Sequence, residues 1–275
     1  MRHPKFLQNV LIGSAAALFA GTSVLPNHPT QSGPVLEAAT AFVAGTPATA
    51  ATTSTDANSP TAEVALATKS ALDALASSVT KLSQPQALED AFHSYYAYKT
   101  ENPSDVKKPY LYFVDYGLPS TEARGYVFDM SSLTVIEGPF TVAHGRGSST
   151  SQYGVPTKFS NASGSDATSL GLYVTKALYA FHGHTGGQSY SSVGVKLDGV
   201  STGFNDKALG RGVVAHGAPY VTPTKAGRSE GCPAMEPARA RRLLPKLADG
   251  SLVFLYAPNQ QWLASDPWIS ADSNG

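Results

Sequence analysis

The sequence predicts a mostly β domain with short helices, preceded by a small helical segment, and three observations point to it. After Pro109 the chain runs as short aromatic and β-branched segments bounded by Gly, Ser, Asp or Pro. Before that point, from Glu63, apolar residues recur at helical spacing. The composition, 42% hydrophobic and 15% charged over 275 residues, is that of one medium globular domain with an accessory segment, and it excludes a coiled coil or a wholly disordered chain. Lys and Arg, 20 in all, balance 20 Asp and Glu. A chain without net charge has no field with which to gather polyanions, which argues against nucleic acid or an anionic membrane as partner.

Taken in order, Arg2, His3 and Lys5 precede an apolar, small-residue run from Val10 to Ala20 that is short for a bilayer span. This is the pattern of an export signal over residues 1–20, with cleavage near Ala20. No other segment approaches the length of a transmembrane helix, so the expectation is an exported protein of the periplasm or cell envelope, without membrane contact once the signal is removed. Cleavage takes away Arg2 and Lys5 and no acid, leaving 18 basic against 20 acidic residues. Residues 21–62 are dominated by Ala, Thr, Ser, Pro and Gly, with only Glu37 and Asp56 charged, and read as a flexible spacer.

Residues 63–108 form the helical segment. Val64, Leu66, Leu72, Leu75, Val79 and Leu82 mark a first helix that stops at Ser83 to Pro85, and a second covers Gln86 to Lys99 with Leu88, Phe92 and Tyr95 or Tyr96 on one side. Apolar stripes of this kind are expected to pack on the domain that follows rather than to form a separate docking module. That domain spans residues 109–258. Its strands are read at Tyr110 to Tyr116, Gly125 to Met130, Leu133 to Ala143, Leu170 to Thr175, Gly194 to Leu197, Gly212 to His216 and Ser251 to Tyr256. One helix interrupts them, Glu236 to Leu247, with Ala238, Leu243, Leu244 and Leu247 inward and Arg239, Arg241 and Arg242 outward; Pro245 is expected to kink it or end it early. Residues 259–275 read as a C-terminal tail.

The densest chemistry is Gly227-Arg228-Ser229-Glu230-Gly231-Cys232-Pro233. Cys232 is the only cysteine, which excludes an internal disulfide and a Cys-rich zinc site. An unpaired thiol in an exported protein is a liability unless it is used, and its flanks are polar and turn-forming rather than apolar. The alternative is a buried inert thiol acting as a small hydrophobe. A nucleophilic cysteine needs a base, and His216, sixteen positions upstream at the end of a strand-like run, is the candidate. The backbone N–H groups of Gly231 and Cys232, with a helix beginning just after Pro233, are suited to an oxyanion, and Arg228 to a substrate carboxylate or simply to solvent.

These residues resemble the L,D-transpeptidase catalytic domain of the YkuD type, in its murein L,D-transpeptidase subgroup. The resemblance runs from about Tyr110 to Pro258 through Val114-Asp115-Tyr116, Val142-Ala143-His144-Gly145-Arg146-Gly147-Ser148, Phe159-Ser160-Asn161, Ser169-Leu170-Gly171-Leu172-Tyr173, Phe204-Asn205-Asp206, Val214-Ala215-His216-Gly217-Ala218-Pro219 and the cysteine block. It implies a YkuD-like β-sandwich of two packed sheets, no cofactor, and peptidoglycan stem peptides as both acyl donor and acceptor. It further implies that Cys232 attacks a stem carbonyl, expels the terminal D-residue and forms a thioester that an amine of a second stem resolves. His216 would be the base, oriented by the carbonyl of Gly217, and Ser229 and Gly231 would line the nucleophile's pocket. His144 and Arg146 fall in a shared block and would line the substrate cleft; the alternative is a glycine-rich turn with Arg146 paired locally. The chain departs from the family pattern at Glu230, where histidine is usual, in a short Ala218 to Gly227 loop, and in a Gly/Ser-rich insertion within 180–193 that reads as a surface loop or a lid.

His182-Gly183-His184 invites a metal, with Asp198, Asp206 or His144 as candidate third ligands, but no motif of metalloprotease spacing accompanies it, and no metal site is expected. Gly145-Arg146-Gly147 lacks the lysine and hydroxyl of a phosphate loop. Four functional readings follow: a cysteine L,D-transpeptidase; an L,D-carboxypeptidase or endopeptidase using the same thiol on the same stems; a zinc murein peptidase on His182 and His184; and a non-catalytic wall-binding module.

Overall fold

The computed structural model describes residues 59–269. The expected signal segment and nearly all of the spacer lie outside them. Helix α1 (Pro60–Leu75) begins three residues before the expected start, because Ser59 caps it, accepting from the N–H of Ala62 at 3.2 Å, and proline suits the first turn. Its inward stripe is Val64, Thr68, Ala71 and Leu75, while Leu66, expected inside, is 67% exposed. Helix α2 (Ala87–Glu101) buries Leu88, Ala91, Phe92, Tyr95 and Tyr98. Phe92 meets Phe128 edge-on at 5.3 Å, and both helices share one continuous apolar core with the strands.

The strands are β1 (Tyr110–Asp115), β2 (Gly125–Asp129), β3 (Thr134–Phe140), β4 (His144–Gly145), β5 (Gly171–Thr185), β6 (Gln188–Gly199), β7 (Val214–Gly217), β8 (Val221–Thr222), β9 (Lys225–Ala226), β10 (Arg228–Ser229), β11 (Ala234–Met235) and β12 (Leu252–Tyr256). The fold is mostly β, as expected. Eight strands join one mixed sheet in the order β11-β7-β6-β5-β12-β1-β2-β3, and the rest form two ribbons, β4 with β10 and β8 with β9. A second, smaller core of Ala143, Ala218, Val221, Ala226 and Ala234 lies around the ribbons. β1 and β12, the parallel central pair, are buried almost throughout and carry the Val, Leu, Phe and Tyr that such strands require.

Residues 180–193 are neither a loose loop nor an insertion without structure. They are the outer half of the β5–β6 hairpin, which turns at Gly186-Gly187 with φ of +56° and +77°, the pair of left-handed residues that a two-residue hairpin turn demands. Helix α3 (Pro237–Leu247) runs through Pro245 to its expected end, with Ala240 rather than Ala238 on the buried side. Arg239, expected outward, lies over the Phe140 ring at 4.6 Å, and with Arg242 it holds Glu137 of β3 at 2.6 and 2.8 Å. The stretch read as a tail also packs. Helix α4 (Gln260–Leu263) buries Trp262 against Phe254 and Tyr256, and Trp268 lies edge-on to Tyr98 while donating to the carbonyl of Val200 at 2.8 Å.

Between the sheet and the β4–β10 ribbon sits Arg124, wholly buried. Its guanidinium donates twice to the carbonyl of Val142, at 3.1 and 2.7 Å, once to that of Leu118, and once to Nδ1 of His144 at 3.0 Å, and it lies 4.7 Å from the centre of the Tyr116 ring. The Tyr116 hydroxyl donates to Ala143 in the same segment at 3.0 Å. Replacement by an apolar side chain leaves these acceptors buried and unpaired. Arg124→Met should therefore lower the free energy of unfolding by about 3 kcal/mol in a urea titration; a loss below about 1 kcal/mol would mean that the segment holds without the cation.

Candidate active site

The short parallel pairing of β11 with β7 assembles the site. Ala234 lies opposite His216 and Met235 opposite Gly217, so the chain just before β11 runs beside the start of β7 and Cys232 comes alongside Val214. The N–H of Val214 points at Sγ of Cys232, 3.5 Å away. His216 is two residues further along β7 and so lies on the same side of the strand as Val214. Val214, His216 and Cys232 all line one cleft of about 830 Å³, together with Arg228, Ser229 and Arg146.

Within it, Nδ1 of His216 is 3.2 Å from the carbonyl of its neighbour Gly217. A carbonyl only accepts, so in the neutral ring the proton sits on Nδ1 and Nε2 carries the lone pair. Gly217 has to be glycine: a Cβ there would stand 2.4 Å from Oγ of Ser192 and 2.8 Å from Cβ of Ala240. Burial pushes the imidazole down to about 4, against the pull of the Gly217 carbonyl in the other direction. Burial likewise pushes the Cys232 thiol up to about 11, with Glu230 adding to the rise and the Val214 N–H and Arg211 opposing it. At neutral pH thiol and imidazole thus both rest uncharged.

The loop that carries Cys232 is laced by Ser229. Its hydroxyl donates to the carbonyl of Cys232 at 2.7 Å and accepts from the N–H of Gly231 at 3.2 Å. Gly231, at φ +118°, adopts a conformation reserved for glycine, and its N–H is engaged by Ser229 rather than open to the cleft. The helix expected just after Pro233 starts only at Pro237, because Ala234 and Met235 are drawn into β11.

The remaining residues divide. Arg228 lines the cleft and donates to the carbonyls of Ser149 and Thr150 at 2.8 and 3.4 Å. Arg146 stands exposed on the rim, paired with Asp166 at 2.8 Å and Glu230 at 3.3 Å, the local pairing that was the alternative to a substrate role. His144 does not line the cleft. It is wholly buried on β4, accepting from Arg124, and burial together with the Arg124 and Arg228 charges holds its imidazole down to about 3. His182 and His184 lie on the hairpin, His182 sharing a hydrogen bond with Ser191, and among the described residues no group of three His, Cys, Asp or Glu is placed to hold a metal ion.

Sequence reasoning missed Arg211, which lines the cleft between two glycines and donates to the carbonyls of Ser160 and Ala167 and the hydroxyls of Ser165 and Ser169. The Gly210-Arg211-Gly212 triplet was its only mark. It also missed Phe181, Tyr190 and Tyr220 on the cleft walls, the first two hidden in the segment read as a loop.

The resting protonation state has a direct readout, since the chain has one thiol. With a midpoint near 11, about one thiol in ten thousand is ionised at pH 7. Because ionisation lies above the working range, the rate of alkylation by iodoacetamide should rise roughly tenfold per pH unit from about pH 6 to pH 10 without a plateau. A rate that is flat from below about pH 6 would instead reveal a thiolate–imidazolium pair at rest.

The sequence matches the L,D-transpeptidase catalytic domain over residues 80–256, which takes in α2 as well as the stretch from Tyr110 onward. No curated protein matches the chain. Among solved structures it is similar to an L,D-transpeptidase from Mycobacterium smegmatis, at 15% identity over 54% of this chain and 59% of that one, with a TM-score of 0.33. It is similar also to one from Stackebrandtia nassauensis, at 14% identity over 62% and 66%, TM-score 0.34, and to L,D-transpeptidase 3 from Mycobacterium tuberculosis, at 12% identity over 54% and 61%, TM-score 0.33. The chain thus spans less than two thirds of the length of these relatives. The family match covers well over half of the sequence and runs from the second helix through β12, and the chain belongs to the L,D-transpeptidase catalytic domain family.

Proposed function

We propose that the protein is an exported cysteine L,D-transpeptidase that joins peptidoglycan stem peptides. The observation that carries this reading is the β11–β7 register, which sets the Cys232 thiol beside the strand of His216 while the Gly217 carbonyl leaves Nε2 of that histidine as a proton acceptor. Nε2 takes the thiol proton as Sγ bonds to the carbonyl carbon at the L-centre of a donor stem, and the same proton passes to the amine of the terminal D-residue as that residue leaves. The product is a thioester on Cys232. An amine of a second stem then attacks it, giving its proton to Nε2, and the thiol is regenerated as the cross-link forms. Burial lowers the His216 imidazole and raises the Cys232 thiol, which favours passing the proton as the bond forms.

The other cleft residues take supporting parts. Ser229 holds the turn by bonding both Gly231 and the Cys232 carbonyl, and the N–H of Cys232 is assigned to the oxyanion. Arg228, whose bonds go to main-chain carbonyls and not to an acid, offers its charge to a stem carboxylate. Arg146, neutralised by Asp166 and Glu230, shapes the rim. Water in place of the acceptor amine would make the same site an L,D-carboxypeptidase.

The test is to incubate the purified chain, wild type, Cys232→Ala and His216→Gln, with tetrapeptide muropeptides and to identify products by mass spectrometry. Dimers are expected from the wild type and none from the alanine variant, with the glutamine variant slowed by roughly 100-fold or more. Shortened monomers without dimers would make the protein a hydrolase, and product from Cys232→Ala that disappears with a chelator would replace the thiol mechanism by a metal one.

A further inference from the structure

β5, β6 and β7 lie side by side, and their register brings an aromatic ring of one onto the imidazole of another. On the middle strand, Gly194 stands opposite Tyr179 of β5 and opposite His216 of β7. It has no side chain to fill the space above it. A Cβ at that place would be 3.1 Å from Cβ of Phe181 and 3.0 Å from the ring of Tyr179. Phe181 therefore reaches over β6 through this gap and lies nearly flat on His216, with ring centres 4.1 Å apart and planes inclined by 23°. Its own position is braced from the hairpin. Tyr190 packs on it at 6.1 Å, and Tyr190 in turn crosses Gly183, where any Cβ would come within 2.5 Å of the phenol ring. Tyr190 also lies edge-on to Tyr220, just after β7, with ring centres 6.4 Å apart, so the hairpin touches the segment that follows the histidine's strand.

We propose that Phe181 is a positioning residue for His216: its ring fixes the plane of the imidazole and keeps water from one face, which makes the outer β5–β6 hairpin part of the apparatus that prepares the base. The inference rests on His216 acting as that base, but ring plane and proton affinity are properties of the protein whatever reaction it performs. The titratable and charged groups that line the cleft with His216 are Cys232, Glu230 and Arg228 from the cysteine's segment, Arg211 before β7, Tyr220 after it, Tyr190 of β6, His182 and His184 of β5, and Arg146 and Asp166 on the rim. From α3, Pro237 and Ala240 pack against Gly217. Burial leads the causes that hold the imidazole neutral, and Phe181 is the side chain stacked directly on it.

The test is an NMR titration of the His216 ring in the full chain, assigned by its loss in His216→Gln, for wild type, Phe181→Ala, Phe181→Tyr and Gly194→Val. His144, buried beneath Arg124 and touching none of these residues, reports whether each variant keeps its fold. Phe181→Ala is expected to raise the His216 midpoint by about one pH unit or more. Phe181→Tyr should keep it low, and Gly194→Val, which displaces the ring without removing it, should follow the alanine variant. Midpoints at the wild-type value in both Phe181→Ala and Gly194→Val, with the His144 resonance at its wild-type position, overturn the proposal; if the alanine variant loses the His144 signature, Gly194→Val decides. Should the wild type make no cross-linked product while His216 responds in this way, the proposed reaction fails and the role of Phe181 stands. An unresponsive His216 in an active enzyme gives the reverse.

Discussion

The buried guanidinium of Arg124 is the constraint on which the site depends. A cation taken out of water is costly unless its donors are satisfied, and here Val142, Leu118 and His144 satisfy them without a single carboxylate. Burial accordingly lowers its pKa to about 10, which still leaves it charged. What it holds is the segment from Val142 to Gly145. On one side that segment pairs with Arg228 and Ser229, and on the other the N–H of Ala143 donates to the carbonyl of Ala234 at 2.8 Å. The loop that carries Cys232, residues 230–233, is therefore suspended between two attachments to a strand that the arginine pins from beneath.

That arrangement explains why His144 belongs to the frame and not to the chemistry. Arginine has only donors, so the Nδ1 that faces it must accept, and the ring is confined to its neutral form with the proton on Nε2. His216 is confined in the opposite tautomer by the Gly217 carbonyl. Two buried histidines in one domain thus carry opposite proton placements, each dictated by whether its partner is a pure donor or a pure acceptor. Only the second leaves a lone pair on the atom that can reach the cleft.

The parts of this architecture that were legible in the sequence are those written in residues with few alternative uses. A lone cysteine among glycines and a histidine at a strand end both marked the site, and the two helices and the strands after Pro109 were visible in their apolar spacing. The hairpin was not, because Gly183, Gly186, Gly187 and the serines of β6 dilute the alternation that marks a strand; their smallness makes room for Phe181 and Tyr190, a pairing that exists only across strands. Leu66 and Ala238 were assigned to the wrong faces since a helical stripe fixes spacing but not phase, and the phase is set by what packs alongside. Arg211 is marked only by its flanking glycines and Arg124 by nothing local, as the groups they bond are brought to them by the fold.

The strand order carries a consequence for how the chain comes to be folded. β12, residues 252–256, is inserted between β5 and β1, and the tryptophans that follow it brace α4 and the end of α2. Until β12 has been made, β1 and β5 each present an unpaired edge, and no shorter stretch of the domain can close the sheet. Closing the sheet is therefore a long-range event, the kind of pairing whose loop-closure cost slows folding.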